Sequence, residues 1–175
     1  MPFYLKEIED IPELDRVDSV LIIPCRFCPA ASLSVSTNEP YIEFFSGFLK
    51  TASYEQFVKT MKSNLETKGI RTDVFKTHLI HQFVLCCWTS RRRRKLLDFA
   101  NKYEAILVLG CEAAVQTVRD SVKSTSCRVF KGMETIGIMN IKPGFKLPCN
   151  ISLELESITP MFYQEKLPET EVSMR

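Results

Sequence analysis

The sequence predicts an α/β fold: a three-layer, mostly parallel, Rossmann-like sheet of about four strands, followed by an irregular C-terminal extension. Three observations carry this. Residues 18–24 (DSVLIIP) and 105–109 (AILVL) are unbroken apolar runs, the pattern of strands buried on both faces. Segments with one apolar helical face lie between and after them. Strands that alternate with helices imply parallel pairing through right-handed crossovers.

Element by element, the first strand ends at Pro24 and runs into Cys25-Arg26-Phe27-Cys28-Pro29. Residues 31–50 show no clear period and read as an insertion rich in aromatics. The first helix follows, with Ser53 as N-cap and Gln56 three residues later as its capping-box partner. Tyr54, Phe57, Val58, Met61 and Leu65 share one face, and Gly69 supplies the stop. Residues 70–76 read as the second strand. Residues 77–90 are a short strand or a buried loop. Thr89 or Ser90 then caps a helix whose apolar stripe is Leu96, Leu97, Ala100 and Tyr103. The strand at 105–109 turns at Gly110 and Cys111 into a helix over 112–122, with Ala114, Val115, Val118 and Val122 on one face. Residues 127–130 read as the fourth strand. Beyond Gly132 the pattern fades, and Pro143, Pro148, Pro160 and Pro168 prevent long helices. This organisation is one α/β domain over 1–150 and an extended tail over 151–175.

Composition narrows the function. In 175 residues, 45% hydrophobic and 25% charged, there is enough apolar material for a core. A net charge of +2 disfavours a nucleic-acid coat. No apolar run approaches the roughly 18 residues of a membrane span. The first fifteen residues are acidic and broken by proline, unlike a signal peptide. No GxGxxG, GxxxxGK, paired-carboxylate or Ser–His–Asp pattern is present, which disfavours a self-sufficient NAD or ATP enzyme.

The seven cysteines carry the main functional signal. An odd count with no export signal suggests a reducing, cytoplasmic setting rather than a disulfide framework. In an open parallel sheet, the loops at the carboxyl ends of the strands share one edge, where ligands bind. Cys25 and Cys28 follow the first strand, Cys86 and Cys87 lie between the second strand and the next helix, and Cys111 follows the third. The topology therefore brings these thiols to one rim. Soft sulfur donors of this number suit zinc or an iron–sulfur cluster. Cys111 also precedes a helix, whose N-terminus favours a thiolate. The competing readings are a reversible Cys25/Cys28 dithiol, and burial of Cys86, Cys87, Cys127 and Cys149 as small hydrophobes.

VDSVLIIPCRFC, FVKTMKSNLETKGIRTDVF, the cysteine before the basic helix and AILVLGCEAAVQTVRDSV together resemble the small cysteine-rich subunit, or C-terminal domain, of acetogen-type methylenetetrahydrofolate reductases. VFKGMETIGI is similar to the segment after that family's last helix. The likeness covers about residues 17–138, as a divergent relative: Ser32, Glu112 and Ala114 stand where the family has a cysteine and two glycines. The resemblance implies a [4Fe–4S] cluster, with Zn2+ as the alternative, held by Cys25, Cys28, Cys86 or Cys87, and Cys111. It also implies a non-catalytic, electron-relaying role beside a flavin-containing folate reductase subunit or a heterodisulfide-reductase-like carrier.

Other residues have weaker readings. Arg91, Arg92, Arg93 and Arg94 open a helix, where cations oppose the dipole; they suit a bound anion or acidic partner, or form a solvated basic face. Tyr41, Phe44, Phe45 and Phe48 form an apolar stretch that covers the core or contacts a partner. His78 and His81 are spaced weakly for a metal, and Trp88 shields a cluster or packs in the core. A metal-free protein-binding module built from the arginines and aromatics is the remaining alternative.

Overall fold

The computed structural model describes residues 2–43, 51–76, 84–146 and 150–161. The described chain is α/β, with two sheets. The first is parallel and contains β2 (Ser19–Pro24), β4 (Arg71–Val74), β5 (Ala105–Leu109) and β6 (Arg128–Lys131), in the order β4-β2-β5-β6. These correspond to the four strands read from the sequence, of which β2 and β5 are the two apolar runs. Every residue of β2 and of β5 is buried, which explains why both are continuously apolar rather than alternating.

Four helices accompany the sheets: α1 (Cys28–Thr37), α2 (Ala52–Thr67), α3 (Ser90–Ala100) and α4 (Glu112–Val122). α1 packs on α2, and α3 packs on α4. α2 buries Tyr54, Val58 and Leu65, as its periodicity predicts. Its N-cap is Thr51 rather than Ser53, and the Ser53 hydroxyl lies inside the helix without a partner. Gly69 takes φ 83°, a left-handed value that a side chain would strain, and so ends the helix. Thr89 is the N-cap of α3. No helix among the described residues is long and apolar enough to cross a membrane.

Two stretches differ from the sequence expectation. Residues 28–37, mostly within the presumed insertion, are α1. Its mixture of Ala, Ser and Val hides the period because α1 touches β1 (Phe3–Glu7), β8 (Asn150–Pro160) and α2, and so is buried on several sides. Pro29 sits in its first turn, where a missing N–H costs nothing, and Asn38 closes it at φ 56°. The second difference follows Gly132. Instead of an irregular extension, β7 (Met133–Lys146) and β8 pair antiparallel in a second sheet, ordered β1-β7-β8-β3, where β3 is Ile42–Glu43. The prolines that forbid helix are accommodated here. Pro143 lies beyond the stretch of β7 that β1 covers, and Pro160 is the last residue of β8. Residues 151–161 of the expected tail therefore belong to or adjoin a strand, and 165–175 lie outside the described residues.

Candidate thiol centre

The parallel sheet positions the thiols. From β2 the chain crosses outward to β4, then returns past β2 to β5 and continues to β6. This reversal of direction opens a crevice between the carboxyl ends of β2 and β5, the place where such sheets bind ligands. Pro24 lies opposite Leu109 in the register, and the Cys25 N–H donates to the Leu109 carbonyl at 2.9 Å. The chain leaves both strands at the same level, so Cys25 and Cys111 emerge beside each other. Gly110 permits the approach: a Cβ there would stand 3.2 Å from the Cys25 Cβ and 2.8 Å from the Ala114 Cβ. Cys28 is the first residue of α1, and Cys111 is the N-cap of α4.

Cys25, Cys28 and Cys111 are all buried and carry no disulfide. The Cys28 and Cys111 thiols form a coupled pair in which one proton is shared between the two sulfurs. This sharing holds Cys111 down at about 6 and, with burial, pushes Cys28 well up. Burial opposes the Cys111 shift, while the N–H groups of Ala113 and Ala114 at the helix start assist it. Neither N–H reaches the geometry of a formed cap hydrogen bond, so Cys28 is the larger influence. Burial pushes Cys25 up to about 11, against the N–H groups of Leu85 and Phe27; charge on Cys111 and Cys86 adds to the rise.

Leu85–Cys87 is a 3-10 helix that brings the third loop to this rim. Leu85 is fully buried and anchors it, and the turn packs on α4. Cys86 and Cys87 are exposed. Cys86 is raised by burial, then by Cys87 and Cys111. Cys86 thus shares the electrostatic neighbourhood of Cys25 and Cys111, whereas Cys87 joins it through its hydrogen bond to Cys86. Cys25, Cys28 and Cys111 lie at this rim, and the third loop brings exposed Cys86 within electrostatic reach of Cys25 and Cys111. Cys127 precedes β6 and lies half-buried at the opposite edge, where burial pushes it up to about 11. Cys149, His78 and His81 lie outside the described residues.

The donors are soft and of one type, which suits a thiolate-held metal or cluster. Among the described residues, no three or more His, Cys, Asp or Glu side chains form a group able to hold a metal ion. The fit is thus one of donor chemistry and placement, not of completed coordination geometry.

The wall of the site contains residues the sequence reading passed over. Arg26, between the two cysteines of the turn, donates from Nε and Nη2 to Glu55 of α2 at 2.6 and 2.9 Å. Its Nη1 is buried without a partner. Tyr54 is fully buried and donates to the Leu109 carbonyl at 3.4 Å. Tyr41 is buried, contrary to its expected role in partner contact; β3 begins beside it, and its N–H donates to Ile151 at 2.7 Å. Its hydroxyl has no partner, and burial, then the charges of Cys28 and Cys25, push it up. Phe44, Phe45 and Phe48 of that expected surface lie outside the described residues. The one legible signal was Arg26 itself: a cation in a turn that ends a buried strand needs a counter-charge.

Arg91 and Arg94 are exposed, while Arg92 and Arg93 are half-buried. Arg93 Nε donates to the Trp88 carbonyl at 3.3 Å, so the four arginines do not form one uniform solvated face. Trp88 is buried against Phe75, with ring centroids 5.7 Å apart, as a core residue. No protein-family model, curated protein or solved structure matches this chain.

Proposed function

We propose that this chain holds a thiolate-ligated [4Fe–4S] cluster at the crevice between β2 and β5, with Zn2+ as the alternative occupant. Cys25, Cys28, Cys111 and Cys86 are the ligands of this reading, with Cys87 in reserve for the last position. The observation that carries it is the convergence of three cysteine-bearing loops on the carboxyl-end rim of the sheet, at the turning point of the strand order. A cluster there supplies one-electron transfer. The protein's own residues supply the rest: α4 favours the charged form of Cys111, buried Tyr41 and Tyr54 keep water from the inner side, and exposed Cys86 leaves the outer side open. An opening of that kind suits a relay more than a sealed structural site.

The chain is then a cytoplasmic accessory protein, not itself catalytic. It passes electrons to, or supports, a partner oxidoreductase of one-carbon metabolism, in keeping with its resemblance to the methylenetetrahydrofolate reductase subunit. A flavin-containing folate reductase or a heterodisulfide-reductase-like carrier is the partner class, with Arg91 and Arg94 as exposed charges for docking. The strand order and the paired helices α1/α2 and α3/α4 support a Rossmann-like, three-layer reading of the parallel part. Anaerobic purification with iron, sulfide and zinc analysis tests the proposal: iron with sulfide is expected, and a metal-free protein overturns it.

One observation favours a second reading. Cys28 at the first position of α1 and Cys111 at the N-cap of α4 interact as a coupled thiol pair, a chemistry that suits exchange with a partner disulfide. The Cys111 thiolate would attack one sulfur, and Cys28 would then close the Cys28–Cys111 bond. The partner leaves as a dithiol, with one proton from Cys28 and one from solvent. This pairing stands beside the Cys25/Cys28 dithiol that the spacing suggests. It requires a Cys28–Cys111 disulfide in oxidised protein and no bound metal.

A further inference from the structure

A cleft of about 660 Å3 runs along the free edge of β4, between α2 and α3, and reaches the turn that carries Cys25 and Cys28. Its lining has two characters. Arg26, Lys59, Lys62 and Lys76 supply positive charge, and Phe99 and Tyr103 supply aromatic surface. Glu55 and Asp73 also line it, but both are engaged, Glu55 by Arg26 and Asp73 by the Tyr103 hydroxyl at 2.8 Å. Lys62 is 3.4 Å from Glu66. The partly exposed Phe99 ring lines the cleft, held edge-on by Phe75 with centroids 5.4 Å apart and with the Lys102 ammonium 5.3 Å from its centroid.

Arg26 makes this more than a basic surface dent. Its side chain is 12% exposed, two of its nitrogens are fixed by Glu55, and Nη1 is shut from solvent with no acceptor. A buried guanidinium nitrogen without an acceptor is costly, and such a cost is retained where a bound acceptor offsets it. Arginine is suited to that acceptor because its fork matches carboxylate and phosphate oxygens.

We propose that this cleft binds a small aromatic anion, with its phosphate or carboxylate drawn to the Arg26 guanidinium and the nearby lysines, and its ring against Phe99. The site deepens the reading of the rim, because Arg26 lies between two of the thiols and gives the centre a small-molecule neighbour. The binding itself does not depend on what the thiols hold, so metal analysis and ligand titration fail separately.

The test is calorimetric titration of the full chain with phenyl phosphate, beside inorganic phosphate and phenol as half-probes. Saturable binding of phenyl phosphate is expected, with each half-probe about tenfold weaker or worse. Arg26→Gln should lose about tenfold in affinity. Lys59→Glu, at an exposed position that leaves the fold intact, should also weaken binding and decides the matter if Arg26→Gln does not fold. Absence of saturable binding overturns the proposal. So does inorganic phosphate binding as tightly as phenyl phosphate, or an affinity unchanged in the folded variants.

Discussion

Replacing Cys28 by Ala in metal-free protein removes the donor that holds Cys111 as a thiolate. Cys28 is buried at the first position of α1, and Ala suits a helix, so the change leaves α1 in place. The Cys111 thiol is held at about 6 against an ordinary value of 9.0. At pH 7 the first value makes about 90% of the sulfur thiolate, and the second only about 1%. The N–H groups of Ala113 and Ala114 remain, so Cys28→Ala should carry Cys111 only part of the way back. Iodoacetamide labelling of Cys111, followed by peptide mass spectrometry across the pH range, measures this. The rate is slow in both proteins because Cys111 is buried, and the midpoint rather than the rate is the readout. The wild-type profile should reach its plateau near pH 7, and the variant should still be rising there, labelling about tenfold more slowly relative to its own plateau. Coincident midpoints would refute the argument, because Cys28 would then have no hold on Cys111.

The same thiols set the pH dependence of stability in the metal-free state. Cys111 is depressed on folding, so its stabilisation is present above 9.0 and is lost as pH falls toward about 6. Cys25 and Cys127 are raised, so the folded state loses ground as pH rises from 9.0 toward about 11. Urea melts should therefore give greatest stability near the ordinary thiol range, and a monotonic profile would contradict this. Gly110→Ala forces a Cβ against Ala114 at 2.8 Å and should cost about 1–3 kcal/mol, checked by the same melts. Leu107→Ala, at a fully buried position in β5, should cost about 2–5 kcal/mol. Tyr41→Phe removes a buried hydroxyl that has no partner and should be neutral or stabilising by up to about 1 kcal/mol in metal-free protein; a clear loss would reveal an acceptor for that hydroxyl.

The parallel sheet was legible because its two central strands, β2 and β5, are buried on both faces, and burial of that kind writes itself as VLIIP and AILVL. The rim followed from topology: once the strands are parallel, Cys25 and Cys111 must leave by the same edge. α1 was not legible, because a helix enclosed by β1, β8 and α2 has no polar face to mark its period. β7 and β8 were missed for a different reason. Their prolines and glycines argue against helix, yet Pro143 falls outside the stretch of β7 that β1 pairs and Pro160 ends β8, a fact that only the pairing reveals. Within the site, the choice between Cys86 and Cys87 depended on a 3-10 turn anchored by Leu85, which a three-residue element leaves unsigned in the sequence. The Arg26–Glu55 pair joins residues on separate elements, and nothing local in the sequence links them.

The central claim is that sulfurs from three loops act on one shared occupant. Iron, sulfide and zinc contents of anaerobically purified protein, compared with those of Cys111→Ala, test it most directly. Iron and sulfide in the parent chain and their loss in folded Cys111→Ala are the expected result. Metal-free protein in both, or equal metal in both, would contradict the account.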